Sequence, residues 1–286
     1  MNPLVYHVAS GHCFFSGIVL LMAAALLGSR EQPWARRCAR LSLMLGAVAT
    51  VLSSTAISPW LYALAIGATL PWFSPRYAKE WQPWAPHLML AGWLLAAAGE
   101  VPYHAMPTIQ PVTGRALTVL GDSVTAGVGG DEKSETWPQI LAREHSLDVQ
   151  DISHVGETAA SALKRVKQQP PRGKLIVVEI GGNDLLGSTT AAQFERDLNA
   201  LLEELAAPDR QIVMFELPLP PFYHGYGYAQ RAAARRHRVA LVPKRVFLSI
   251  LAGNGSTLDT IHLSQAGHQQ MASTVWQIVA EPLGDR

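Results

Sequence analysis

The chain has 286 residues, a formal net charge of +1 and two cysteines. A charge this close to neutral, with no basic stripe interleaved with aromatic residues, argues against nucleic acid as a partner. Neither Cys13 nor Cys38 lies in a CxxC or in a Cys/His spacing suited to zinc. The charged residues are unevenly distributed, because the first 110 residues contain only nine of the 45. The composition therefore predicts two unlike parts, the first of which is solvated by something other than water.

Apolar runs before residue 101 predict an all-α transmembrane domain of about four helices, over residues 1–101. A helix needs about 20 residues to cross the hydrocarbon core, so the third and fourth runs are marginal unless the tryptophans at their ends extend them into the headgroup region. A buried helical bundle in water is the alternative, but the runs LMAAALLG and LAIGATL lack a polar stripe of helical period. The runs are residues 14–28, 41–57, 59–73 and 86–98.

The distribution of basic residues predicts how these helices are oriented. Residues 29–40 contain four arginines, and residues 74–84 contain Arg76 and Lys79, whereas the first twelve residues contain neither type. Basic loops stay in the cytoplasm, so four crossings place everything after residue 101 outside it. The first run is not expected to be a cleaved signal peptide, because its n-region has no Lys or Arg and further apolar runs follow.

Residues 102–114 contain three prolines and predict an extended linker. Beyond it, over residues 115–286, short apolar strands alternate with amphipathic helices, which predicts an α/β domain with a parallel five-stranded sheet covered on both faces. The predicted strands are 116–120, 148–153, 174–180, 211–217 and 239–242. The predicted helices are 137–144, 159–168, 191–206 and 228–237, and Ser264 is expected to cap a last helix that ends near residue 279.

Ser123 follows the first of these strands in the stretch LTVLGDSVTAG. A serine at this place is either a helix N-cap or a nucleophile. A nucleophile needs a base, a group that orients the base and donors for an oxyanion. LDTIHLSQAGH supplies Asp259 and His262 in one loop, close enough for the carboxylate to accept from the imidazole.

Two further segments follow strands at the same edge of the predicted sheet, where ligands bind in such folds. Asn183 in EIGGND offers a side-chain amide donor, and Gly156 in SHVGETAAS offers a backbone N–H with no side chain to block it. Both stretches are also of turn-forming composition. The joint occurrence of Ser123, Gly156, Asn183 and the Asp259–His262 pair at strand ends favours an enzyme.

These residues resemble the four sequence blocks of the SGNH, or GDSL-type, hydrolases. GDSVTAG is similar to the serine block, Gly156 to the glycine block, GGND to the asparagine block and DTIH to the Asp-x-x-His block. The likeness covers residues 115–280 and is greatest to the bacterial thioesterase and lysophospholipase branch. It departs from the usual pattern at Val124 and Leu263, neither of which is a reacting group.

The resemblance implies a flavodoxin-like three-layer sandwich and a site that needs no metal or organic cofactor. It implies that Ser123 is the nucleophile, His262 the general acid and base, and Asp259 the group that orients it. It also implies an oxyanion hole formed by the backbone N–H groups of Ser123 and Gly156 and by the Asn183 amide. Asp122 is expected to support the turn through local hydrogen bonds, His268 to be structural, and His224 to lie near the substrate cleft.

The sequence thus predicts a membrane-anchored serine ester hydrolase, multi-pass in a bacterial inner membrane, with its catalytic domain on the periplasmic side. Its expected partners are the membrane and an acyl ester of a lipid or envelope component, whose chain the loop LPLPPFYHGYGY could accept. One alternative is an O-acyltransferase or deacetylase that acts on envelope glycans through the same acyl-enzyme. Another is a non-catalytic membrane scaffold, against which the complete residue set argues. The oligomeric state is left open.

Overall fold

The computed structural model describes residues 1–73, 84–128, 135–259 and 261–284. Contacts between residues divide the chain into two compact units. The helical unit comprises Pro3–Ala105 and Leu219–His224, and the sheet unit comprises Met1–Asn2, Met106–Pro218 and Gly225–Arg286. The division of the sequence at residues 101 and 114 into membrane domain, linker and hydrolase domain stays a prediction.

The helical unit contains one helix for each of the four apolar runs, and a further short helix before them. The third helix begins eight residues earlier than its run, with a proline in its first turn, and takes in three arginines. It also ends earlier, at Leu52, so residues 53–57 lie outside any helix. The helices are α1 (Pro3–Ala9), α2 (His12–Gly28), α3 (Pro33–Leu52), α4 (Pro59–Thr69) and α5 (Ala85–Glu100); 3₁₀ turns follow at Leu70–Phe73 and Val101–His104.

Glycines let α2 and α3 pack closely. A Cβ added to Gly46 would lie 2.8 Å from the backbone oxygen of Gly17, and a Cβ added to Gly17 would lie 2.9 Å from that of Gly46. Both distances are too short for real carbon atoms, so the two backbones approach each other only because neither residue has a side chain.

Within the described ranges, no single helix is both long enough and apolar enough to cross a bilayer. The pair α1 and α2 meets both requirements together, with a bend of 84° at the break between them. The segment 74–83, which contains the Arg76 and Lys79 of the predicted cytoplasmic loop, lies outside the described residues.

The sheet unit has five parallel strands, as the sequence predicted, and their order is β2-β1-β3-β4-β5. This is a doubly wound order, in which helices cover both faces. The strands are β1 (Ala116–Gly121), β2 (Asp148–Asp151), β3 (Leu175–Glu179), β4 (Gln211–Phe215) and β5 (Ala240–Val242). The helices are α6 (Ser123–Ala126), α7 (Trp137–His145), α8 (Ala159–Gln168), α9 (Gly182–Leu186), α10 (Ala191–Leu205), α11 (His224–His237), α12 (Lys244–Leu251) and α13 (Gln265–Val279).

Burial explains why these segments form strands. Every residue of β3 is buried, as expected for a central strand with helices on both faces, whereas β2 at the edge of the sheet is only half-buried. Hydroxyl caps begin three of the helices: the side chains of Thr158, Thr190 and Ser264 each accept a backbone N–H from the first turn.

The register places the chemistry-bearing segments side by side. Gly121, the last residue of β1, pairs with Glu179, the last residue of β3. The segments that follow these two strands therefore emerge at the same carboxyl edge of the sheet, as predicted, and this edge is where ligands bind in doubly wound folds.

Candidate active site

Ser123 begins the four-residue helix α6 immediately after β1. The preceding residue, Asp122, caps this helix by accepting the Val124 N–H at 3.0 Å. A Cβ at Gly121 would collide with the side chain of Thr125, so the tight passage from strand to helix requires glycine there. The hydroxyl of Ser123 is thus held at the carboxyl edge of the sheet on a tight turn.

His262 lies in the loop before α13, and its Nε2 atom is 3.2 Å from the Oγ atom of Ser123. This separation is within reach of a hydrogen bond between the hydroxyl and the imidazole. The ring is mostly buried, since about a quarter of its side chain is exposed. The structure therefore brings together two residues that are 139 positions apart in the sequence.

Asp259 holds both the ring and the loop of His262. Its Oδ2 atom lies 2.7 Å from Nδ1 of the ring, while its Oδ1 atom accepts the backbone N–H groups of Ile261 at 2.8 Å and His262 at 2.9 Å. These donors, the backbone N–H of His262 first, hold the pKa of the Asp259 carboxyl well below its usual range. An ionised Asp259 fixes the tautomer with hydrogen on Nδ1, which leaves Nε2 free to accept the serine proton.

Asn183 lies in the first turn of α9, just beyond β3, and its amide nitrogen has two acceptors. It donates to Oδ2 of Asp122 at 3.1 Å and to the backbone oxygen of Glu157 at 3.0 Å. Both partners are acceptors, so the amide nitrogen must face them. Asn183 thereby links the segment after β1 to the segment after β2.

Gly156 precedes Glu157 in that second segment, and its φ is +76°. A side chain at this position would point into open space but would be strained by the left-handed backbone. The hydrogen bond from Asn183 to the carbonyl of Glu157 brings the preceding residue, Gly156, close to Asn183. All five residues predicted from the sequence thus occur in connected segments at one edge.

The chain matches the GDSL-like Lipase/Acylhydrolase family over residues 119–270, just over half of its length. The chain belongs to this family. It is therefore a GDSL-type carboxylic-ester hydrolase. The matched range contains every one of the predicted site residues: Ser123, Gly156, Asn183, Asp259 and His262.

Individual relatives agree with this membership. The chain is 28% identical to Esterase TesA of Pseudomonas aeruginosa over 181 residues, which cover 58% of this chain and 89% of that protein. It is 30% identical over 122 residues to thioesterase 1/protease 1/lysophospholipase L1 of Escherichia coli, which cover 41% of this chain and 57% of that protein. The chain thus spans just over half of the Escherichia coli relative.

Solved structures give the same fold. A crystal structure of TesA matches 59% of this chain and 99% of its own, with a TM-score of 0.50 and 27% identity. The psychrotrophic esterase EstA from Pseudoalteromonas sp. matches 60% of this chain and 100% of its own, with a TM-score of 0.51 and 20% identity. The share of this GDSL hydrolase that they cover corresponds in size to its sheet unit.

Three charged residues around the site were not predicted from the sequence. Glu179 is buried at the end of β3, and its Oε2 atom accepts the hydroxyl of Thr125 at 3.0 Å. Glu157 is also buried, and Arg165 of α8 donates to it at 2.5 Å. The acidic residue at the end of LIVVE is a visible signal for Glu179, whereas the eight-residue separation of Glu157 and Arg165 offers none.

The remaining histidines of interest have other partners. Nδ1 of His268 accepts the backbone N–H of Trp137 at 3.3 Å, and burial lowers the pKa of its ring, so the side chain is a neutral structural acceptor. His224 lies in the part of the chain that belongs to the helical unit, where its Nε2 atom donates to the backbone oxygen of Ser53 at 2.7 Å. Within the described ranges, no group of three or more His, Cys, Asp or Glu residues could hold a metal ion.

Proposed function

We propose that this GDSL hydrolase uses Ser123 as its nucleophile, His262 as general base and acid, and Asp259 to orient the imidazole. The observation that carries the proposal is the continuous run of hydrogen bonds from Oγ of Ser123 through the ring to Asp259, at 3.2 and 2.7 Å. A serine, a base in contact with it and a third group that orients the base are the requirements for nucleophilic acyl transfer.

The reaction follows from this order of contacts. Oγ of Ser123 attacks the ester carbonyl carbon while its proton passes to Nε2 of His262, and the same proton then goes to the departing alcohol oxygen as the C–O bond breaks. Water attacks the acyl-enzyme by the same route, which releases the acid and restores the serine. Asp259 stays ionised throughout and stabilises the protonated ring.

Three donors would hold the oxyanion: the backbone N–H groups of Ser123 and Gly156 and the Asn183 amide. A donor of this kind is worth about 3–4 kcal/mol in the transition state. Both hydrogens of the Asn183 amide have protein acceptors, so one of them must be redirected when the oxyanion forms. The carbonyl of Glu157 is the uncharged acceptor of the two and the easier one to leave.

A fluorophosphonate probe tests the nucleophile. It should label wild-type protein on Ser123, and Ser123→Ala should lose both labelling and ester turnover while keeping its melting temperature. Ser249→Ala is the matched control, because that exposed hydroxyl only bonds the Val246 carbonyl within α12. Full turnover by Ser123→Ala would refute the mechanism.

We infer that the helical unit anchors the enzyme in a membrane, and the distribution of side chains supports this proposal. In α3 the buried residues are small or carry a hydroxyl, namely Ala35, Ala39, Gly46 and Thr50, whereas large apolar residues point outward. Such an inverted pattern suits a lipid environment, where small residues mediate helix contacts. The exposed large apolar residues of α2 to α5 are Val19, Leu26, Trp34, Leu41, Met44, Leu45, Val48, Val51, Trp60, Leu64, Ile66, Leu88, Leu94 and Leu95.

The proposed orientation places the arginine-rich segment 29–40 in the cytoplasm and the sheet unit on the periplasmic side of a bacterial inner membrane. The support is the positive-inside tendency. Reporter fusions test it: a fusion after Arg40 should report cytoplasm, and a fusion at the C-terminus should report the outer side. A cytoplasmic signal at the C-terminus would contradict an even number of crossings.

The proposed substrate is an acyl ester of a lipid or envelope component. Four large apolar side chains are exposed next to site residues: Val155 and Leu186 near Gly156 and Asn183, and Leu258 and Ile261 on either side of Asp259. Apart from Met1 and Met106, they are the exposed large apolar residues within the described part of the sheet unit. Exposed apolar surface around a nucleophile favours an apolar acyl group, and the Escherichia coli relative is named a thioesterase and lysophospholipase.

A vesicle experiment separates a membrane substrate from a freely diffusing one. The full chain is reconstituted in phospholipid vesicles, and lysophospholipid is added either to the same vesicles or to a second population without enzyme. An anchored enzyme should hydrolyse the lipid in its own bilayer many times faster, and a water-soluble short-chain aryl ester equally fast in both cases. Equal rates for the lipid in both arrangements would contradict the anchored reaction.

A further inference from the structure

Two of the proposed oxyanion donors depend on one short segment after β2, which contains Gly156 and Glu157. Gly156 supplies a backbone N–H, and the carbonyl of Glu157 accepts the Asn183 amide at 3.0 Å. Gly156 has a left-handed φ of +76° and no side chain with which to pack, so it does not hold the segment by itself. The position of both donors therefore depends on what holds Glu157.

The carboxyl group of Glu157 is buried and ion-paired. Glu157 is 2% exposed, and Nε of Arg165 in α8 donates to its Oε2 atom at 2.5 Å. A hydrogen bond between charged groups is roughly twice as strong as one between neutral groups. The backbone N–H of Glu157 also donates to the His154 carbonyl at 3.2 Å, which closes the turn through Gly156. Glu157 is thus held through both its side chain and its main chain.

A second contact joins α8 to the turn that contains Asn183. Asp184, the next residue, is fully buried, and its Oδ2 atom accepts the backbone N–H of Ala159 at 2.9 Å. Ala159 is the first residue of α8, and Arg165 lies six residues further along the same helix. The helix that carries Arg165 is therefore itself fixed relative to Asn183.

The ion pair matters most when the oxyanion forms. The Asn183 amide must then give up one of its two acceptors, and the carbonyl of Glu157 is the easier one to leave. The bond between Glu157 and Arg165 does not use that amide, so it persists through the step. It therefore keeps the Gly156 N–H in place after the bond from Asn183 is broken.

We propose that the ion pair of Glu157 and Arg165 positions the Gly156 N–H and the Asn183 amide for the oxyanion. Glu157 and Arg165 are positioning residues, because they act on the oxyanion through these two donors. The inference rests on the proposed function, since that function makes Gly156 and Asn183 oxyanion donors. It assigns the pair a role in the rate of the chemical step and none in substrate binding.

Removal of each partner tests the pair. Arg165→Met and Glu157→Met should each lower kcat by about tenfold to a hundredfold with little change in KM, a smaller loss than that expected of Asn183→Ala. Because both substitutions remove the same contact, the double variant should be no slower than the slower single variant. If the two losses multiply, or if the folded double variant has wild-type kcat, the proposal is wrong.

Melting temperatures distinguish positioning from a purely structural role. Arg165→Met leaves the buried Glu157 carboxylate without its partner and should lower the melting temperature, whereas the double variant has no such charge and should regain most of the stability. The kcat of the double variant should stay low even so, and its recovery together with stability would overturn the proposal. Should Arg165→Met fail to fold, Glu157→Met carries the test, because the side chain of Arg165 that it leaves unpaired is 28% exposed.

Arg172→Met is the matched control. It also removes an arginine from an ion pair, with Asp148 at 3.5 Å, but Asp148 begins β2 at the opposite edge of the sheet. This variant should keep the wild-type kcat and KM, and an equal loss of kcat would overturn the proposal. Asn183→Ala, measured in parallel, separates the two proposals. A wild-type kcat in Asn183→Ala would refute the oxyanion assignment itself, whereas a slow Asn183→Ala beside a fast Glu157→Met would refute only the positioning role.

Discussion

Helix α3 of the helical unit and strand β3 of the sheet unit bury opposite kinds of side chain. In α3 of the helical unit, small residues such as Gly46 are buried and large residues such as Leu45 are exposed, whereas in β3 of the sheet unit every apolar residue is buried. Water drives the second arrangement, because it favours the burial of apolar surface. The arrangement in α3 buries little apolar surface, so its packing depends on close contact between helix backbones.

The two units also differ in how their polar groups are used. In the sheet unit, the buried carboxyl of Asp122 accepts the Asn183 amide from another segment, and the buried carboxyl of Glu179 accepts the Thr125 hydroxyl. In the helical unit, buried hydroxyls such as Thr50 and Thr69 bond backbone oxygens of their own helices. The buried carboxyls of the sheet unit therefore join separate segments of the chain, whereas Thr50 and Thr69 each bond within their own helix, and Thr69 also accepts the Trp93 indole N–H.

The largest expected effect tests the assignment of chemistry to the sheet unit. Asn183→Ala removes the proposed oxyanion donor, so kcat should fall by about a hundredfold or more, with a modest change in KM. Asn199→Ala on α10 is the matched control, since its side chain bonds the Glu195 carbonyl, Arg236 and His237, none of which is a predicted site residue. A higher KM with an unchanged kcat would show that Asn183 contacts the substrate and does not stabilise the oxyanion.

A smaller effect tests the cohesion of the helical unit. Gly46→Ala places a methyl group against the Gly17 backbone, and we expect overpacking to destabilise the unit by about 1–3 kcal/mol, measured as earlier loss of helical circular dichroism in a dodecyl sulfate titration. Fluorophosphonate labelling of Ser123 should remain.

Gly67→Ala is the matched control for this substitution. A Cβ at Gly67 has no heavy atom within 4 Å, and alanine is favoured over glycine in a helix by up to about 1 kcal/mol. The variant should be as stable as wild type or more so. Equal destabilisation by both substitutions would mean that the contact between α2 and α3 does not hold the unit together.

Much of the sheet unit could be predicted because its signals are local. Strands such as β3 are continuous apolar runs, and Ser264 caps a helix that begins at the next residue. Asp259 and His262 are three residues apart, so their contact also follows from the sequence. The contact between Glu179 and Thr125 could not be predicted, because it arises only through the pairing of β1 with β3.

The helical unit shows where prediction from composition ends. The apolar runs indicated four helices. Hydropathy did not predict that α3 ends at Leu52 and that Ser53 to Ile57 are buried without helical structure. Hydroxyls of Ser54 and Ser53 bond the backbone oxygens of Ala9 and Gly11 at the break between α1 and α2. These are contacts between residues more than 40 positions apart, which a window along the sequence does not register.

The smallest expected effect concerns the pH dependence of stability in the sheet unit. The pKa of Glu179 is raised by burial, so the folded state binds a proton that the unfolded state has released above about pH 4.3. The stability contributed by this group is therefore greatest at acid pH and declines as the pH rises toward its folded pKa. Glu179→Gln has no such proton. Its melting temperature relative to wild type should rise as the pH increases above about 4.3, by about 2–4 °C for each kcal/mol. Thr118→Val should differ from wild type by the same amount at every pH, because it removes no titrating group. If the difference in melting temperature between Glu179→Gln and wild type does not change with pH, the folded state does not raise the pKa of Glu179.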